Sequence, residues 1–396
     1  MKRWLTSALV LTASGGAAAC PLCGAWLDSM PSPGSAYHQR VMAASRAQVG
    51  VQLDTIPGDV PTGGAGDTAT AYRLDRENAA SAVLAVPDVR GARLKVVEVI
   101  RGDFPLGGTI DPAWVDPVDL GAASSKPLLL IRARNWQSWA SLGAIGTEHA
   151  AWLRKLAASA PTTKMTAAEW QEHLVFVLPY LENAEPMVAE IAYGELARAP
   201  YSSLRSLKAH LDVSALRQWA GDPRLAKRQS LYTLLIGIAG DTSDAVRIEE
   251  RLDAAWKAKD TTNLGPMLAA DLELRGPSRM AWIDAKYMGE RDRTTRELQA
   301  VLLALSVQGT ANATIPRERV IESYRIFIDV HKALAGFVAQ DLATWNYWGA
   351  GPDYLALLRS DLAQHPASRY AMLSYLRQSP RADSKTAINA LASPAH

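Results

Sequence analysis

The sequence predicts a mostly helical α+β protein, in which a small N-terminal β-barrel or β-sandwich precedes an α-solenoid. Three features lead to this prediction: a leader-like N-terminus, short β-branched runs separated by Gly and Pro up to residue 147, and amphipathic helical patterns after it. We therefore expect a signal peptide (1–19), a β domain (20–147), a helical-repeat domain (148–380) and a flexible tail (381–396).

The N-terminal segment has the three parts of a secretory signal peptide. Lys2 and Arg3 supply the positive end, an apolar stretch covers residues 4–12, and small residues precede Cys20. We therefore expect a periplasmic or secreted protein. No later apolar run reaches the roughly 18 residues that a spanning helix needs, so we expect no transmembrane helix in the mature chain.

The charge composition disfavours nucleic acid as a partner. The chain has 42 Lys and Arg against 40 Asp and Glu, and the excess of two equals Lys2 and Arg3 of the leader. Removing the leader would leave a neutral protein, which is a poor match for a polyanion.

Cys20 and Cys23 form a C-x-x-C pair at the predicted mature N-terminus, and the sequence has no other cysteine. In an oxidising compartment two such thiols most simply form one small disulfide loop. Three alternatives stay open: a redox couple, a metal site completed by ligands from elsewhere in the fold, and a lipid anchor on Cys20. Ala17 disfavours the anchor, because bacterial lipoproteins prefer Leu at this position.

The β domain is predicted from short runs of β-branched and aliphatic residues. They cover residues 82–86, 94–100, 109–110 and 127–131, and an earlier alternation of Val49, Val51 and Leu53 suits another strand. Gly- and Pro-rich turns separate the runs, as in small antiparallel barrels and sandwiches. Residues 63–66 are Gly-rich but lack the Lys and Ser or Thr of a phosphate loop, so we expect an ordinary loop.

Part of this region resembles the OB-like barrel of netrin and of tissue inhibitors of metalloproteinases. The likeness rests on the strand that ends at Val99-Ile100-Arg101-Gly102, on Thr109-Ile110 and on the late run 128–131. It implies a barrel over residues 20–145 with a disulfide-bonded N-terminal cysteine. Here Cys20 has only Cys23 as a partner, which argues against protease inhibition, and a plain β-sandwich stays the alternative.

Residues 222–256 are the clearest helical pair. Asp222-Pro223 is a helix start, Leu231 and Leu235 belong to an apolar face, and Gly240 ends the helix before a second amphipathic stretch. Two helices joined so closely are expected to pack antiparallel and to need neighbouring pairs on each side. Further helices are predicted at 148–158, from Thr166 to 181, 186–199, 264–274, 278–288, 294–305, 317–334, 352–362 and 368–376.

The pair 222–256 resembles a HEAT-like repeat, and this resemblance implies a superhelical stack over about residues 166–380. The arrangement as a whole resembles a group of secreted bacterial proteins, which share a Cys-Pro-x-Cys mature start, a β domain and a helical array. The stretch 193–201 of this chain, Tyr-Gly-Glu-Leu-Ala-Arg-Ala-Pro-Tyr, contributes to the likeness. The resemblance implies an architecture and no activity.

The sequence predicts no catalytic residues, no cofactor and no resident metal. It contains no His-Glu-x-x-His and no Gly-x-Ser-x-Gly, and His331 falls on an apolar helix face, where we expect a hydrogen-bonded core imidazole. The residues that stand out are aromatic, since bulky rings near loops can anchor a partner. These candidates are Trp136, Trp139, Trp345, Tyr347 and Trp348, and the alternative is that Trp345 and Trp348 fill gaps between helix pairs.

These features favour an exported, non-enzymatic scaffold or protein-recognition module with a protein or cell-envelope partner. The alternative is a periplasmic thiol or metal-binding protein that acts through Cys20 and Cys23. A weaker hypothesis is a carbohydrate-processing enzyme, which would require a cleft with two facing carboxylates.

Overall fold

The computed structural model describes residues 79–87, 93–115, 126–133, 138–159, 165–310, 313–360, 362 and 365–381. The described residues divide into two compact units between His173 and Leu174. The first unit holds an antiparallel sheet and the second is helical. The predicted signal peptide, Cys20, Cys23, the strand at 49–53, Trp136 and nearly all of the predicted tail lie outside the described residues.

Five strands form the sheet of the first unit, in the order β3-β2-β1-β4-β5, and all neighbours are antiparallel. Their bounds are β1 Ala79–Pro87, β2 Leu94–Arg101, β3 Thr109–Ile110, β4 Leu128–Ala133 and β5 Ala140–Ala144. The first four confirm predicted runs to within a few residues. The fifth was not predicted, because Ala, Ser and Gly carry little strand propensity and pairing with β4 stabilises it instead.

The sheet is curled, and one side of it forms a core. A bridge between Val115 and Trp139 joins the segment after β3 to the segment before β5. The buried cluster comprises Val83, Ala85, Leu94, Val96, Ile110, Val115, Leu128, Leu130 and Trp139. Helix α1, Ala150–Ala158, packs on β2, with an exposed ion pair of 2.8 Å between Arg154 and Glu98. This confirms the predicted helix at 148–158.

Helices continue along the chain from α2, Ala167–Val177. They are α3 Pro186–Ala197, α4 Tyr201–Arg205, α5 Val213–Gly221, α6 Gln229–Ala239, α7 Thr242–Ala258, α8 Leu264–Arg275, α9 Met280–Ile283, α10 Thr295–Gln308, α11 Arg317–Val330, α12 Ala339–Thr344, α13 Gly351–Arg359 and α14 Pro366–Gln378. None of the helices in the described part of the chain is both long and apolar enough to cross a membrane.

Side-chain caps fix several of the predicted helix starts. The Thr166 hydroxyl accepts from the Glu169 amide at 3.3 Å, and the Glu169 carboxylate accepts in return from the Thr166 amide at 2.7 Å. The same reciprocal arrangement joins Thr294 to Glu297 at the start of α10. Because such a cap is a local interaction, the sequence was sufficient to predict these boundaries.

Several predicted helix bounds were wrong by four or more residues, and two of them show the reason. The helix expected from Asp222 begins only at Gln229, because residues 223–228 form 3₁₀ turns with a non-helical kink at Leu225. The helix expected to reach residue 334 ends at Val330, since His331 leaves helical geometry and a 3₁₀ segment, Lys332–Val338, follows.

Helix α6 packs most extensively on α8, and much less on α7, its neighbour in sequence. The expected close α6–α7 hairpin is therefore not the main contact. The reason is that Gly237 has no side chain, which lets α6 approach α8 closely. A Cβ atom added at Gly237 would lie 2.5 Å from the Cα atom of Ala270 in α8. Small residues on both helices allow this close approach.

The crossing predicts opposite effects for two glycine substitutions. Gly237→Ala is expected to lower the free energy of unfolding by about 1–3 kcal/mol, because its methyl group would overlap the α8 backbone. Gly221→Ala at the end of α5 is the matched control. A Cβ atom added at Gly221 has no other atom within 4 Å, so this substitution is expected to raise the free energy of unfolding by about 0.4–1 kcal/mol. Denaturant unfolding measures both, and a stabilising Gly237→Ala would contradict the close approach.

Candidate functional site

A groove between α11 and α13 is the strongest candidate site in the described part of the chain. It has a volume of about 630 Å³ and lies wholly in the second unit. Its lining combines aliphatic and charged side chains, namely Glu322, Arg325, Ile326, Ile328, Asp329, Lys332, Asp353, Ala356 and Leu357.

Helix α11 supplies one wall because its sequence is amphipathic. Val320, Tyr324 and Phe327 are buried in the helical core. Glu322, Arg325, Ile326 and Asp329 follow each other at helical spacing and line the groove. This outward stripe is polar except for Ile326.

Ile326 is the unusual member of the outward stripe. Its side chain is 36% exposed, whereas Ile328 and Leu357 at the floor of the groove are buried. A single exposed aliphatic residue is ordinary, but here it borders an apolar floor inside a concavity. The groove therefore offers an apolar centre with a charged surround.

Helix α13 forms the second wall of the groove, and a buried hydrogen bond holds it in place. The Tyr354 side chain is fully buried, and its hydroxyl donates to the Ala335 carbonyl at 3.2 Å. This contact ties α13 to the 3₁₀ segment that follows α11. It leaves Asp353, Ala356 and Leu357 at the groove.

The charges that surround the groove are largely uncompensated. Within the described part of the chain, Arg325, Asp329, Lys332 and Asp353 form no ion pair, and all four are exposed. Glu322 has only a 3.7 Å contact with Arg319. Charged groups of both signs are therefore available to a ligand. A groove lined by exposed charged groups around an apolar floor is suited to recognition.

A second polar cluster lies at the start of α3 and is nearly buried. Arg228 donates to Glu182 at 2.5 Å and to Glu190 at 2.9 Å, and the Tyr232 hydroxyl also donates to Glu182. Burial raises the pKa of Glu190 to about 7, although the positive charges of Arg228 and Lys227 oppose the shift. Burial and the Glu182 hydrogen bond raise the pKa of Tyr232 well above its usual range. The cluster joins the loop before α3 to α6.

A third cluster joins α7, α8 and the turn after α8. Asp271 is fully buried and accepts from Arg279 and, at 3.0 Å, from Arg275. Glu249 of α7 accepts from the same two guanidinium groups at 2.7 and 2.6 Å. Burial raises the pKa of Asp271, and the two arginines counteract it. Each of the two carboxylates accepts from both guanidinium groups, so the network is structural in character.

The tryptophan expected to anchor a partner in the β domain is buried. Trp139 is 5% exposed, its ring lies edge-on to Phe104 at 5.3 Å, and Arg132 stacks on it at 4.8 Å. It is thus a core residue of the sheet, and its burial argues against contact with a partner. Trp136, the other candidate of this region, lies outside the described residues.

The aromatic patch after α12 is half-buried and packs between helices. The Trp345 ring stacks on the Tyr324 ring, with 5.5 Å between the ring centroids. The Trp345 ring also covers Gly309, where an added Cβ atom would lie 2.0 Å from the ring. The Trp348 ring lies 5.1 Å from that of Tyr375. These contacts favour the alternative in which the two rings fill gaps between helices.

Tyr347 contributes its backbone to the same packing, because its carbonyl accepts from the Tyr375 hydroxyl at 2.6 Å. His331 is a core imidazole, as expected, and its Nε2 lies 3.2 Å from the Tyr287 carbonyl. Burial lowers the pKa of His331. These residues support the helical core and do not line the groove.

The apolar face of α11 was predicted from the sequence, whereas the groove on the other side of this helix was not. The available signal was Ile326 among Glu322, Arg325 and Asp329, an aliphatic residue on an otherwise charged face. The contribution of α13 had no signal of this kind, because it depends on how α11 and α13 pack. Cys20 and Cys23 stay predictions from sequence.

No protein-family model, curated protein or solved structure matches this chain.

Proposed function

We propose that this chain is an exported, non-enzymatic protein-recognition module whose binding surface is the α11–α13 groove. The observation that carries the proposal is the groove itself, with its apolar floor, its exposed Ile326 and its uncompensated charges of both signs. Protein-binding surfaces commonly combine a small apolar centre with a polar rim. Export to the periplasm or the medium is proposed from the leader sequence.

We also propose a HEAT-like stack for the helical unit and an OB-like arrangement for the curled sheet. Support for the stack comes from the way alternate helices pack: α6 on α8, and α8 on α10. In stacked helix pairs, each helix meets the corresponding helix of the next pair in this manner. The low polarity of α6 and α8 agrees with their position inside such a layer, since both are buried along most of their length.

The occupant that suits the groove is an amphipathic helical segment of a protein. One aliphatic side chain would pack on Ile326 and Leu357. Basic groups beside it would approach Asp329 and Asp353, and acidic groups would approach Arg325 and Lys332. A polyanion would meet the three carboxylates of the lining, so it is a poor candidate.

A displayed library of amphipathic helical peptides tests this function. We expect peptides selected on the intact protein to bind with micromolar affinity and to lose at least about tenfold in affinity on Ile326→Asp and on Asp353→Lys. Val246→Asp is the matched control, because Val246 is 46% exposed on α7 and does not line the groove. Its effect is expected to be negligible.

Two results would contradict the proposed function. One is a set of selected peptides that bind the intact protein and the Ile326→Asp variant equally well. The other is reproducible turnover of a substrate that is abolished by one polar-to-alanine change in the groove. Circular dichroism of each variant excludes loss of folding as the cause of lost binding.

A further inference from the structure

Four charged residues that line the groove alternate in sign about Phe327: three lie on α11, and the fourth, Lys332, begins the 3₁₀ segment that follows it. Counted from Phe327, Glu322 and Lys332 lie five residues away on either side, and Arg325 and Asp329 lie two residues away. The order along the chain is acidic, basic, acidic, basic. All four side chains are exposed and line the groove.

Such a stripe is complementary to its own copy when the two run antiparallel. With a two-fold axis beside Phe327, Glu322 faces Lys332 of the second copy, and Arg325 faces Asp329 of the second copy. A parallel, in-register pairing would put every charge against its like. Like charges placed opposite each other at an interface are costly, so the pattern selects the antiparallel arrangement.

The same axis brings the exposed aliphatic residue to the centre. Ile326 lies one residue from Phe327, so the two Ile326 side chains of a pair would meet close to the axis. At a rise of about 1.5 Å per residue, their Cα atoms would differ in height by only about 3 Å. The apolar floor formed by Ile328 and Leu357 lies beside them. An apolar centre flanked by charge pairs is the usual composition of a specific protein interface.

We infer that the partner of this groove is a second copy of the same chain, which binds through α11 to form an antiparallel, two-fold symmetric dimer. This inference rests on the proposed function, because it takes the groove as the recognition surface and names its occupant. The interface is isologous: each α11 lies against the groove of the other copy, and the same charges act twice.

Charge reversal and exchange test the register directly. Arg325→Asp would set Asp against Asp329 of the second copy, and Asp329→Arg would set Arg against Arg325 of the second copy. Each variant alone is expected to dimerise at least about tenfold more weakly than the original protein. An equimolar mixture of the two is expected to recover dimers, since the reversed charges then face opposite signs. The double variant Arg325→Asp/Asp329→Arg is expected to recover dimers by itself.

Sedimentation velocity over a range of protein concentrations measures these associations, and dimerisation is expected to weaken between about 0.05 and 0.5 M salt. Arg251→Asp on α7 is the control, because Arg251 is exposed and lies outside the groove lining. A monomeric original protein, or dimers that Arg325→Asp leaves unchanged, would overturn the inference. If groove-dependent peptide binding persists in either case, the proposed function stands and only the identity of the partner is wrong.

Discussion

Replacing Asp271 by alanine is expected to lower the free energy of unfolding by about 3–5 kcal/mol. Asp271 is fully buried and accepts hydrogen bonds from Arg275 and Arg279, and the Arg279 side chain is itself 7% exposed. Without this carboxylate, the buried Arg279 and the partly exposed Arg275 would share Glu249 as their remaining acidic partner in the described part of the chain. Removing one member of a buried ion pair is costly because the remaining charge stays away from water.

Denaturant unfolding of Asp271→Ala measures this loss. Glu250→Ala is the control, because Glu250 is exposed on the same helix as Glu249 and its removal is expected to change stability by less than about 0.5 kcal/mol. The double variant Asp271→Ala/Arg279→Met is expected to be more stable than Asp271→Ala, since the uncompensated charge is gone. Equal stability of Asp271→Ala and Glu250→Ala would show that the network does not stabilise the fold.

The stability of the protein is expected to fall as the pH rises from about 4.5 to about 7, through the proton on Glu190. Burial raises the pKa of this carboxyl to about 7, from 4.5 for a free side chain. The folded chain therefore holds a proton that the unfolded chain releases in this window. Each pH unit removes up to about 1.4 kcal/mol, so the total contribution is on the order of 3 kcal/mol and is fully present only below the lower value.

Glu190→Gln isolates this contribution, because the amide does not titrate. The difference in unfolding free energy between the original protein and this variant is expected to shift in favour of the variant as the pH rises to about 7. Glu318→Gln, at an exposed position of α11, serves as the control and is expected to leave the pH dependence unchanged. A difference that is constant between pH 5 and 7 would mean that Arg228 keeps Glu190 ionised throughout.

Strand-forming runs and helix caps were sufficient to predict the secondary-structure elements in which they occur. The β-branched run 94–100 became β2, and the capping boxes at Thr166 and Thr294 began α2 and α10 where expected. The short helices α4, α5 and α12 and the strand β5 were not predicted. Such short segments do not form alone, and the surrounding core stabilises them.

Aromatic residues were the least reliable guide to a site. Trp139 was predicted to contact a partner because it follows the last predicted strand, and it is part of the sheet core. Trp345 and Trp348 belong to a dense aromatic stretch of the sequence, and their rings pack on Tyr324 and Tyr375. An aromatic ring can bury its large apolar surface either in the protein core or against a partner. Composition alone therefore does not distinguish a core residue from a binding residue.

From the sequence by itself came the division into a short-stranded region and a long helical one, and the start of most helices. Periodicity and capping determine these features, because both act between residues a few positions apart. Tertiary packing alone decided that α6 meets α8 across Gly237, and that α13 completes a groove along α11. Those contacts join residues far apart in the chain, and their geometry depends on which side chains leave room for a close approach. The charged face of α11 was in the sequence throughout, and it became a candidate site only when packing set an apolar floor beside it.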